Sequence, residues 1–216
     1  MGKINQGILD GFNGKVGTVV GYKVNGKKVM RAYVDKIRNP RTSLQMDNRL
    51  RFKTLAQLAS AFLSATTIGL ECVAKSLRHT VSNSFMRVNQ AAVSATGGEA
   101  EVDYGSLTCS LGGMPQVAFG NASFAEPQRV GVTFSPDADM PRTDAQDKVY
   151  LFVYQPDTNP GLLSAPVLRT TGTLTLRLPA SWTGMTVHVY GFAVGDGRNN
   201  LGLRSDSSYV GTGNVG

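Results

Sequence analysis

The dipeptide Asn25-Gly26, set between two strand-like runs at 16–24 and 27–34, constrains this chain more than any other feature. Asn and Gly tolerate the positive φ that both central positions of a type I′ turn require, so the runs are expected to fold back as a hairpin. If Val24 pairs with Lys27, Thr18, Val20, Tyr22 and Val24 share a face with Lys27, Val29, Arg31 and Tyr33. Gly17, Val19, Gly21 and Lys23 then share the other face with Lys28, Met30, Ala32 and Val34. Each face is apolar near its base and cationic toward the turn, so Lys23, Lys27 and Lys28 form a basic fingertip suited to phosphate contact. Gly17 and Gly21 strip one face of side chains, which allows close approach of another element; the expected one is the following helix.

A basic connector, residues 35–42, leads into that helix. Thr42 with Gln45 three residues on has capping-box spacing, which predicts a helix over 43–63. Leu44, Phe52, Leu55, Leu58, Ala59, Phe62 and Leu63 fall on one stripe and are the expected buried face, with Arg49 and Lys53 opposite. Arg51 projects near that stripe and needs a partner or an escape to the helix edge. Helical patterning resumes over 68–78 and 85–93, with the polar run 79–84 as an interruption.

After Gly97-Gly98 the texture changes to short alternating runs punctuated by Gly, Pro, Asn and Asp. Runs at 106–111, 116–119, 129–134, 148–154, 173–178 and 185–194 read as strands, and 205–211 as an added edge strand. In 148–154 both faces are apolar or aromatic, which predicts a central strand, and Trp182 is expected to cap the core. The expected fold class is α+β: an N-terminal β-hairpin packed on two or three helices, then a C-terminal antiparallel β-sandwich of immunoglobulin or fibronectin type. The expected domains are a basic module at 1–95 and a β-sandwich interaction domain at 96–216.

Charge follows the same division. Residues 1–95 carry 8 Lys and 7 Arg against 4 acids, and residues 96–216 carry 1 Lys and 6 Arg against 11 acids. A concentrated positive segment attracts polyanions, and the acidic remainder repels them. The candidate nucleic-acid or polyanion contacts are Lys23, Lys27, Lys28, Arg31, Arg38, Arg41, Arg49 and Lys53, with Tyr22 and Tyr33 placed to stack on bases. The N-terminus lacks the apolar run of a signal peptide, and no stretch approaches the roughly 18 apolar residues that span a bilayer, so a cytoplasmic or virion-packaged product is expected.

Familiar catalytic patterns fail on spacing. The glycines around Gly14-Lys15 miss a phosphate-binding loop because position 9 is Leu and position 16 is Val. His79 and His188 lack ligand-spaced partners and read as structural or surface residues, so no catalytic residue, metal or cofactor is expected. The acidic run Asp137, Asp139, Asp144, Asp147 lacks the glycine and terminal glutamate of an EF-hand loop and reads as a solvated loop rather than a calcium site. Cys72 and Cys109, one in each half, are expected to be reduced and buried.

Several stretches together resemble an uncharacterised family common in Bacteroidota genomes. They are the glycine-rich opening 7–22, Val29-Met30-Arg31, Asn39-Pro40-Arg41-Thr42 with Gln45, Arg49 and Phe52, and the strands at 147–154 and 178–187. The Asn-Pro-Arg-Thr helix start is also similar to segments of small phage and prophage proteins. The family is a domain of unknown function, so that resemblance implies a lineage but no activity, while the phage-like segment implies a virion or mobile-element setting. The expected function is a non-enzymatic structural or assembly protein docking on a protein partner or a second copy, without a membrane or small-molecule substrate. The alternative is a nucleic-acid-binding protein using the hairpin and first helix.

Overall fold

The computed structural model describes residues 2–3, 12–24, 26–36, 39, 41–137, 140–198 and 200–216. The chain forms two compact units, Met1–Thr42 and Ser43–Gly216.

The first unit is a four-stranded antiparallel sheet. Strands β1 (Gly2–Lys3), β2 (Gly14–Val16), β3 (Val19–Val24) and β4 (Lys27–Ala32) lie in the order β1-β4-β3-β2. The β3–β4 register is the expected one, Val24 opposite Lys27 and Tyr22 opposite Val29. Gly26 has φ +80°; Asn25 lies outside the described residues. The run 16–24, however, is not one strand. Gly17, with φ +59°, and Thr18 form a two-residue turn, so Val16 ends β2 and Val19 begins β3. The bare face at Gly21 is filled by the Phe12 ring, which a Cβ there would meet at 2.5 Å. An aromatic ring within the unit thus takes the place expected for a helix.

The second unit opens with four helices among its described residues: α1 (Ser43–Ala61), α2 (Leu63–Gly69), α3 (Glu71–Leu77) and α4 (Val81–Val88). Arg78, at φ 54°, ends α3, and the Thr80 hydroxyl accepts the Asn83 amide to start α4, so a stop directly precedes the polar run and a cap lies within it. Strands β5 (Val93–Thr96) and β6 (Glu99–Val102) form a hairpin whose turn is Gly97-Gly98, with φ +65° and +88°. The composition break near residue 96 is therefore a tight turn, not a linker. Asp47 of α1 accepts the Gly98 amide at 3.0 Å.

The remaining strands are β7 (Arg129–Thr133), β8 (Lys148–Tyr154), β9 (Gly161–Leu163), β10 (Val167–Leu168), β11 (Thr173–Arg177), β12 (Thr186–Val194) and β13 (Ser208–Asn214). β8 is central: β12 lies on one side and β9 and β10 on the other, with β13 beyond β12 as the expected edge strand. One face of this sheet, with Val149, Leu151, Val153, Val187 and Val189, shares a core with Val130, Val132 and Leu174 of the paired strands β7 and β11 and with Trp182. The other face, with Phe152, Tyr154, Tyr190 and Phe192, shares a second core with the helices. Phe62, fully buried where α1 meets α2, sits 4.7 Å from the Phe152 ring centroid and 5.1 Å from that of Tyr154. The architecture is thus α+β, and the helices after residue 42 belong with the sheets rather than with the hairpin.

Three other expectations are corrected. The stretch 106–111 is not a strand; Leu107, Cys109 and Ser110 are buried in a loop held by Asn89, which donates to Thr108 O and accepts the Thr108 amide. Leu44, Phe52 and Leu63 are exposed rather than buried; the buried residues of α1 are Leu55, Leu58 and Ala59, with Phe62 buried just past its end. The first turn of α1 lies beyond Asp47, which is where the β5–β6 turn meets the helix. Cys72 is exposed and only Cys109 is buried.

Candidate polyanion-binding surface

All described candidate cations are exposed. Lys23 and Lys28 are a directly opposed cross-strand pair, and Lys27 lies opposite Val24 at the same tip. Like charges directly opposed disfavour an isolated hairpin, an arrangement that an anion laid against them relieves. Arg31 lies further down β4, opposite Val20, whose partner on β2 is Lys15. One face of the sheet therefore carries Lys15, Arg31 and Lys27 together with Tyr22 and Tyr33. The Lys15 ammonium sits 3.5 Å from the Tyr33 ring centroid, and the Arg31 guanidinium 6.0 Å from that of Tyr22.

Arg41 lies in the exposed connector at the end of the first unit, and Arg38 lies outside the described residues. Arg49 and Lys53 are one turn apart on α1 and belong to the second unit. Arg51, beside them, points inward as expected of a residue needing a partner: its Nε donates to Val93 O at 2.8 Å and its Nη2 to the Gln90 carbonyl.

The unit boundary divides the charge differently from the change in sequence texture: it places the net surplus in a shorter segment and leaves the rest neutral. Residues 1–42 hold nine Lys and Arg against two acids, and residues 43–216 hold thirteen of each. The whole formal charge of +7 thus resides in the first unit.

In the second unit, the acidic run is largely committed to structure. Asp147 is fully buried; its Oδ1 accepts from Asn200 at 2.6 Å and its Oδ2 accepts the Asp144 amide at 3.0 Å. The buried Arg169 lies 3.5 Å from that Oδ2 and donates through Nε to Asp137 O at 2.7 Å. Asp139 lies outside the described residues. Among the described residues, no group of three His, Cys, Asp or Glu is placed to hold a metal ion, and no helix is long and apolar enough to cross a membrane.

Sequence reasoning missed a cleft at one end of the sheet face that bears the helices. His188 stacks on Tyr104 with centroids 4.2 Å apart, and its Nδ1 is 2.9 Å from the Tyr209 hydroxyl. Burial holds the His188 imidazole below its ordinary pKa and raises those of Tyr104 and Tyr209. His79, in contrast, is exposed. The aromatic and carboxylate residues of this cleft, Glu101, Asp103, Tyr104, His188 and Tyr209, come from three separate segments, so no local spacing marks them.

A family model described as a family of unknown function, DUF6266, matches residues 11–211. The chain belongs to that family. DUF6266 carries no assigned activity. No curated protein matches the chain. Among solved structures, the fibronectin type III domain of human collagen alpha-1(XX) chain is similar at 18% identity, covering 48% of this chain and 86% of that one, with a TM-score of 0.32.

Proposed function

We propose that this DUF6266 protein is a non-enzymatic assembly protein in which the first unit docks on a polyanionic partner and the second supplies protein contacts. The observation that carries this reading is the charge partition: +7 on 42 residues beside a neutral body of 174. A field confined to one small unit orients encounter with an acidic surface and makes association salt-sensitive. The setting we favour is a virion or mobile element, in the cytoplasm or packaged from it. The facing sheets of the second unit we read as a sandwich of immunoglobulin or fibronectin type.

A second reading, direct binding of nucleic acid, draws on the Lys15–Tyr33 and Arg31–Tyr22 pairs, which combine phosphate-seeking charge with stacking faces. Binding to heparin and to single-stranded DNA separates the two. An assembly module that reads charge alone binds both in proportion to charge density. A nucleic-acid module prefers DNA, and Tyr22→Ala removes that preference. Absence of binding to either at low salt ends both readings, because phosphate and sulfate contacts strengthen steeply as salt falls.

A further inference from the structure

The cleft around Tyr104, His188 and Tyr209 has the chemistry of a cation receptor. Its cavity measures about 550 Å³ and is lined also by Ser94, Glu101 and Asp103. An adjoining cavity of about 350 Å³ shares Val102 and Tyr104 and is lined by Tyr154, Asp157 and Asn159. The ionised groups in both linings are carboxylates, and neither lining contains a Lys or Arg. The neighbouring Arg51 is committed to the carbonyls of Gln90 and Val93.

The floor is aromatic and held firmly. Across β12, His188 is opposite Tyr154 on one side, and Tyr190 is opposite Tyr209 on the other, so these rings occupy one face of the sheet. Tyr190 donates to Tyr104 O at 2.7 Å, fixing the backbone that carries the stacked Tyr104 ring. Asp103 accepts the Ser106 hydroxyl and the Gly105 amide, which hold its carboxyl below the usual range beside the cavity. Aromatic faces attract a guanidinium or ammonium through their quadrupole, and carboxylates at the rim strengthen that attraction where water is partly excluded.

We infer that this cleft receives a basic side chain from the first unit of a second copy of the chain. Charge complementarity argues for that occupant: the first unit presents Lys23, Lys27 and Lys28 exposed at a hairpin tip with a surplus of seven positive charges, while the cleft is lined by acids and aromatic rings. The interface is heterologous, tip to cleft, and repeats head to tail into rings or open filaments. The inference rests on the assembly reading above and names the acidic partner as another copy of the chain.

The experiment is sedimentation velocity of the full chain across salt concentrations, with E101K, K27E and the double variant E101K/K27E. Glu101 is exposed on β6 and Lys27 is exposed on β4, and thermal melts check that each variant is folded. The wild type is expected to form species larger than a monomer at low salt, which dissociate as salt rises or as arginine amide is added. Each single variant is expected to weaken self-association about tenfold or more, and the double variant to regain part of it by charge exchange. A wild type that stays monomeric at all salt concentrations, or an E101K variant that associates as the wild type does, overturns the inference. Heparin binding measured on the same samples separates the two levels. Heparin binding without self-association leaves the assembly reading standing and removes the cleft as its partner, whereas loss of both removes the reading as well.

Discussion

Arg169 and Asp147 show how much a single side chain decides here. Both are buried, so removing one partner leaves the other charged and unpaired; Arg169→Ala is expected to cost about 3–5 kcal/mol in urea unfolding. The double variant R169M/D147N is expected to recover much of that loss, because both charges leave together. The two thiols separate in the same way. Burial pushes the Cys109 thiol up to about 12, while Cys72 is exposed, so native protein at pH 8 is expected to expose one thiol to a disulfide reagent and unfolded protein two. His188 is kept neutral by burial, so the unfolded chain binds a proton more readily than the folded one. Its contribution to stability is full above the ordinary value of 6.5 and is lost as pH falls through the lower folded value. H188Q is expected to flatten the thermal midpoint between pH 7 and acid. Of these environments, only the burial of Cys109 was expected from the sequence. Composition distinguishes neither thiol, and the partners of His188 lie 84 residues before it, at Tyr104, and 21 after it, at Tyr209.

At the scale of elements, legibility followed how local the determining interaction is. The β3–β4 register was readable because the turn dipeptide and the pairing it fixes are contiguous. The central position of β8 was readable because apolar residues on both faces demand two covered faces. The hairpin of β5 and β6 was not. Val93–Thr96 continues an apolar pattern from the helices, and Gly97-Gly98 resembles a boundary as much as a turn. Both glycines hold positive φ with open space around them, so G97A/G98A is expected to cost roughly 1–2 kcal/mol per residue through backbone strain alone, read as a lower urea midpoint with unchanged slope. The short strand β2 was missed for a related reason. A valine-rich run reads as one strand unless Gly17 is taken as a turn, and the sheet pairing that makes it one lies at Gly14 and Gly21. The exposed Leu44 and Phe52 reflect what helical periodicity omits: it identifies a stripe but not how far along the helix its cover extends.

At the scale of the whole molecule, the asymmetry of charge was legible, but its boundary was not. Residues 43–95 hold six Lys and Arg against two acids, and residues 96–216 hold seven against eleven, so their imbalances cancel. That cancellation appears only once the helices and sheets are seen to share a core, as at Phe62 against Phe152 and at Arg204, which pairs with Glu71 of α3 at 2.7 Å. What remains is a small cationic sheet joined to a neutral body, and that sheet is the proposed docking element. The most direct test compares heparin affinity, across salt concentrations, for two triple variants of the full chain with equal loss of charge. One is K23Q/K27Q/K28Q, in the first unit, and the other is R87Q/R177Q/R198Q, at exposed positions of the second. With the amino-terminal sheet as the docking element, the first variant is expected to lose affinity about tenfold or more and bind with a shallower salt slope, while the second stays within about twofold of the wild type. Equal losses for the two variants would contradict that role, because the attraction would then belong to net charge and not to the amino-terminal sheet.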